Sequence, residues 1–131
     1  MKRTPLVRRT RVRPRRSTPR RSTRGRDLAY MLWVKTLPCS CIGWSRCSGV
    51  VEADHAGKRG LGQKCDDRET IPMCSQHHHD RHAFSGLFRS HDAARMRKFL
   101  DYQISRTRAL FLRQFPTVQE WERWQTLNLE N

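Results

Sequence analysis

The run Cys74-Ser-Gln-His77-His78-His79-Asp80-Arg81-His82 constrains this chain more than any other segment. Cys74 and His77 form a Cys-x-x-His knuckle, a spacing that suits a tetrahedral zinc site. If the chain is helical from Ser75 onward, His78 and His82 lie four residues apart on one helix face, where they can chelate a single ion together. The segment therefore divides between two metals. Upstream, Cys39, Cys41 and Cys47 offer thiolates for the first, and two of them complete a Cys3His set with Cys74 and His77. Cys39 and Cys47 are the preferred pair, with Cys41 as the alternative ligand. The five cysteines are an odd number mixed with six histidines, and no apolar stretch directly follows the N-terminal charges as in an export signal. Metal binding thus fits better than a disulfide framework. A domain of this size also gains stability from such a staple.

The second metal needs an oxygen ligand, and Asp54-His55 supplies one. Val50 and Val51 lead into a short strand over Glu52–His55. Gly57, Gly60 and Gly62 mark a basic loop carrying Lys58, Arg59 and Lys64, and residues 70–73 read as the returning strand. Neighbouring strand residues point to opposite faces, so Asp54 can bind an ion while His55 reaches elsewhere. A carboxylate suits a magnesium-like ion or zinc. An imidazole ordinarily titrates near about 6.5, which suits His55 to general-base work.

Asp-His, a basic glycine-rich loop, then Ile71-Pro-Met-Cys74-x-x-His77-His78-x-x-x-His82 resembles the HNH (ββα-metal) endonuclease superfamily. It is most similar to the phage group that includes the RecA-dependent nuclease Ref and small prophage nucleases. Lys64-Cys-Asp-Asp67 and Trp33-Val-Lys-Thr-Leu-Pro-Cys39 carry the same likeness, which covers roughly residues 28–86. The resemblance implies that Asp54, His78 and His82 hold the catalytic metal (magnesium or another divalent ion) and that His55 is the general base. It further implies phosphodiester hydrolysis of DNA, leaving 5′-phosphate and 3′-hydroxyl ends, in phage recombination or DNA processing. A recombinase filament or another phage protein would be a partner, in the cytoplasm of a bacterial host. The asparagine of the HNH pattern is absent: its place falls on Glu69, so Asp67 or Glu69 would have to hold the loop bearing the base. Arg81, Lys58, Arg59 and Lys64 are candidates for clamping neighbouring phosphates.

Around this core, expected at residues 39–86, the periodicity predicts helices over 28–35, 91–114 and 117–127. Thr117 and Glu120 have capping-box spacing. The four tryptophans read as core residues, and His79 and His91 as surface. The expected fold is α+β: a ββα-metal core with a structural zinc, flanked by helices, in a domain over 27–131. Residues 1–26 hold twelve basic residues and no acidic one, against fifteen and twelve in the rest. With three prolines and almost nothing apolar, this arm reads as disordered and as a polyanion tail. Arg15, Arg16, Arg20 and Arg21 are its candidate DNA contacts. No apolar run is long enough to span a membrane. The rival reading is a zinc-containing nucleic-acid-binding module without catalysis, which leaves Asp54, His55, His78 and His82 without a role.

Overall fold

The computed structural model of the protein describes residues 26–58 and 65–130. The basic arm with Arg15, Arg16, Arg20 and Arg21, and the loop residues Arg59 and Lys64, lie outside the described residues. Helix α1 spans Leu28–Val34, and the Asp27 carboxylate caps it by accepting the Tyr30 N–H at 3.0 Å. Strands β1 (Val51–His55) and β2 (Thr70–Cys74) pair antiparallel, with Val51 opposite Cys74 and His55 opposite Thr70. Helix α2 (Ser75–Ala83) follows β2 without a linking residue. Helices α3 (Ala93–Gln114) and α4 (Val118–Leu129) complete the chain. The described residues therefore form a small α+β fold built on one two-stranded sheet.

Helix α3 begins two residues later than the sequence predicts. Asp92 caps it through the Arg95 N–H at 2.7 Å, and a 3-10 turn over Gly86–Phe88 occupies the approach. A capping box at Thr117 and Glu120 starts α4, which runs to Leu129 rather than 127.

Every residue of β2 is buried. Ile71 and Met73 enter one apolar cluster with Phe88 and with Met96, Leu100 and Ile104 of α3. Those three recur every fourth residue, which keeps them on one face of the helix. Pro72 sits mid-strand opposite Ala53, and its carbonyl accepts the Ser40 N–H at 2.7 Å. In an antiparallel strand a residue's N and C=O point to the same side, so Pro72 faces away from β1 and the N–H it lacks costs no ladder bond. That same contact docks the cysteine loop onto the sheet.

A second cluster joins α1 to the end of α3. Phe111 lies 5.2 Å from Tyr30 and 5.1 Å from Trp33, centroid to centroid. Helix α4 has no fully buried residue and is held by Trp121, 5.0 Å from Phe111. Three of the tryptophans thus serve packing. Trp44 departs from that expectation: it is 57% exposed, because it lies in the cysteine loop and not on a helix face. His91, expected at the surface, is half-buried with its ring 5.3 Å from Phe88. Among the described residues, no helix is long and apolar enough to cross a membrane.

Candidate functional site

Two groups of side chains that could hold a metal ion flank the start of α2. In the first, ligand atoms of Cys39, Cys47, Cys74 and His77 lie within 4.8 Å of one another. His77 Nδ1 is 3.5 Å from Cys39 Sγ, 3.8 Å from Cys47 Sγ and 3.1 Å from Cys74 Sγ. A tetrahedral zinc with ordinary bond lengths would set sulfur and nitrogen about 3.5 Å apart. The donor set and its spacing therefore fit a metal such as zinc. Ser45 Oγ meets His77 Nε2 at 2.5 Å, which fixes the ring and turns Nδ1 toward the thiols.

The backbone prepares the same site. The N–H groups of Cys41 and Cys74 donate to Cys39 Sγ at 3.4 and 3.3 Å. With a hydrogen bond from the Cys41 thiol, they bring the Cys39 thiol down to about 4 against the effect of burial. Burial, then a hydrogen bond to Cys39, pushes Cys47 up to about 12. Cys41 is buried beside the group but is not a member of it. Its hydrogen bond to Cys39 and its burial push its thiol up, so it stays a proton donor.

The second group is Asp54, His78 and His82, again within 4.8 Å of one another. His78 Nε2 is 3.3 Å and His82 Nε2 3.9 Å from Asp54 Oδ1. Because α2 starts at Ser75, positions 78 and 82 face β1 together while 77 turns to the thiols. Glu52 shares the Asp54 side of β1, and its carboxylate binds His78 Nδ1 at 2.5 Å. That bond orients Nε2 of His78 toward Asp54 and holds the Glu52 carboxyl below its ordinary range. An outer carboxylate on a metal-binding histidine is a recurrent device. Neither Glu52 nor Ser45 belongs to any motif in the sequence.

His55 follows Asp54 on β1, and its Nε2 lies 2.9 Å from Asp67 Oδ1. Asp67 is buried, and its other oxygen accepts the Asp27 N–H at 2.7 Å. Of the two residues considered for the missing asparagine, Asp67 is therefore the one that holds His55. Glu69 lies instead against Gly57, where an added Cβ would come within 2.1 Å of its carboxylate.

Arg81 does not take the position of a phosphate clamp. It is 8% exposed, and its Nε and Nη2 donate to the two oxygens of Asp54 at 2.6 and 2.5 Å. A buried carboxylate needs such compensation, and Arg81 provides it from the adjacent helix. Arg81 Nη2 also lies 3.2 Å from His82 Nε2. Lys58 is exposed.

The segment carrying both groups has a wider kinship. Residues 16–106 match the family described as "Protein of unknown function (DUF968)", over more than half of the chain. The chain belongs to the DUF968 family. Both groups that could hold a metal fall inside the DUF968 match. A relative from Escherichia coli (strain K12), "Uncharacterized protein YdfU", is 36% identical over 59 residues, or 45% of this chain. The chain spans 17% of that relative's length. No solved structure matches.

Proposed function

We propose that this DUF968 protein is a metal-dependent DNA endonuclease of the HNH (ββα-metal) kind, with a structural zinc and one catalytic divalent ion. The reading is carried by the convergence of Asp54, His78 and His82 beside a separate Cys3His set. The element order β1–β2–α2 agrees with a ββα-metal core. In this reading zinc occupies Cys39, Cys47, Cys74 and His77, while magnesium or another divalent ion is held by Asp54, His78 and His82.

The chemistry follows from the residues. Asp67 accepts the Nε2–H of His55, which places the imidazole lone pair on Nδ1 and makes that atom the base that takes a proton from water. The water attacks phosphorus in line, and the 3′ oxygen departs. A divalent cation, when bound, offsets the charge gathering on the phosphoryl and leaving oxygens. Glu52 keeps His78 turned toward the site, and Arg81 holds the Asp54 carboxylate in place. A phage origin, a role in recombination and a recombinase partner rest on the family resemblance alone.

A plasmid-nicking assay with added magnesium, manganese or nickel tests this. The wild type nicks supercoiled DNA, while His55→Ala loses at least about a hundredfold of the rate, within the range of general-base catalysis, and keeps its zinc. A folded, fully active His55→Ala protein removes His55 from the role.

One observation favours a second reading, a non-catalytic zinc-containing nucleic-acid-binding module. The bidentate Arg81 contact matches the charge of Asp54 without any ion. In that case the folded protein holds one metal and nicks nothing.

A further inference from the structure

Lined by no residue of either group, an open cavity of about 510 Å³ lies between the cysteine loop and α3. Trp44 forms one wall, and Arg95, Lys98, Phe99 and Tyr102 of α3 form the other. These four stand at i, i+3, i+4 and i+7, a single stripe of a helix that interleaves cations with rings. Trp44 is 57% and Tyr102 63% exposed. The Trp44 ring is tilted against Phe99 at 5.9 Å, and Phe99 rests edge-on against Phe88 at 5.2 Å, so the floor is a packed set of rings. Among the described residues, no carboxylate lines the cavity. Neither Arg95 nor Lys98 forms an ion pair among the described residues, and both are exposed.

We infer that this cavity binds single-stranded nucleic acid, with bases stacked on Trp44 and Tyr102 and phosphates against Arg95 and Lys98. Exposed rings beside unpaired cations match a polyanion that also carries flat apolar faces. In a duplex those faces are covered by neighbouring bases, so the fit is to an unpaired strand. An apolar peptide would use the rings but leave both cations unmatched. Trp44 sits between Cys41 and Cys47, so the loop that carries the thiols also sets the position of the platform. The site uses none of the residues assigned to cleavage.

The test uses the full zinc-loaded chain with no divalent ion added, so it stands whether or not the protein cuts DNA. Fluorescence anisotropy compares a labelled oligothymidylate of about twelve nucleotides with an abasic strand of the same length and charge. The wild type prefers the strand with bases. Trp44→Ala and Tyr102→Ala each weaken that binding about tenfold, within the range of one lost stacked base, and leave abasic binding within about twofold. Trp44→Phe recovers part of the loss. Replacing Arg95 and Lys98 with glutamine weakens both strands and lowers the salt dependence. Equal wild-type affinity for the two strands overturns the inference. So do folded Trp44→Ala and Tyr102→Ala proteins that bind oligothymidylate as the wild type does, which would leave the surface to a protein contact. Tyr102 lies on an exposed turn of α3, so its variant remains informative if the loop fails to fold without Trp44.

Discussion

Glu52 belongs to no motif, yet it decides which nitrogen of His78 faces Asp54. Its carboxylate holds Nδ1 at 2.5 Å, leaving Nε2 for the site. Glu52→Ala should weaken manganese binding about 10- to 100-fold, the usual cost of losing an outer carboxylate, with zinc content unchanged. A calorimetric titration of the zinc-loaded protein checks this, and an unaltered affinity would remove Glu52 from the positioning role. Tyr30 raises a different issue. Its hydroxyl is buried without a hydrogen-bond partner among the described residues, and burial, opposed by Arg68, pushes its ionisation up to about 12. A folded-state value above the ordinary 10 means that its contribution is intact below pH 10. It is lost as pH rises toward 12, on the order of 2 kcal/mol. Tyr30→Phe should therefore melt close to the wild type at pH 8 and show a shallower loss of stability between pH 10 and 12. An alkaline limb of equal steepness would contradict this. Some residues were legible in the sequence and others were not. The proximity of Cys74 to His77, and of His78 to His82, follows from spacing on a helix. The partners Glu52–His78 and Ser45–His77 lie 26 and 32 residues apart and leave no local pattern. Arg81 reads as a surface cation because a sequence does not reveal that a buried Asp54 will claim it.

At the scale of elements, the junction of β2 and α2 does the most. Cys74 ends the strand, caps the helix by accepting the His77 N–H at 3.5 Å, and joins the Cys3His group. Cys74→Ser should abolish zinc retention and collapse the cooperative melting transition. Cys41→Ser, which removes a buried neighbour outside the group, should keep one zinc per chain with a modest loss of stability. Metal analysis with circular dichroism separates the two, and zinc loss in both variants would place Cys41 among the ligands. The hairpin and helices were readable because the glycine-marked loop between the strands, the helical periodicity and the Thr117–Glu120 box are local signals. The 3-10 turn at Gly86–Phe88 was not, since it depends on Phe88 burying its ring against α3. The exposure of Trp44 was equally hidden, because the shape of a cysteine loop follows from its metal ligands and its dock on Pro72.

Across the whole molecule, the two apolar clusters meet along α3 and leave the start of α2 as the place where thiols, imidazoles and carboxylates converge. The basic excess of the chain, +15 overall, suits a polyanionic partner. The aromatic cavity beside α3 and the Asp54 group would contact such a partner at separate places. The proposed nuclease activity depends on a second cation binding apart from the zinc. Native mass spectrometry of the zinc-loaded protein, titrated with manganese or nickel, counts the ions directly. The account predicts two metals per folded chain, falling to one in the paired His78→Ala, His82→Ala protein while its zinc remains. A wild-type chain that never holds more than one would contradict it.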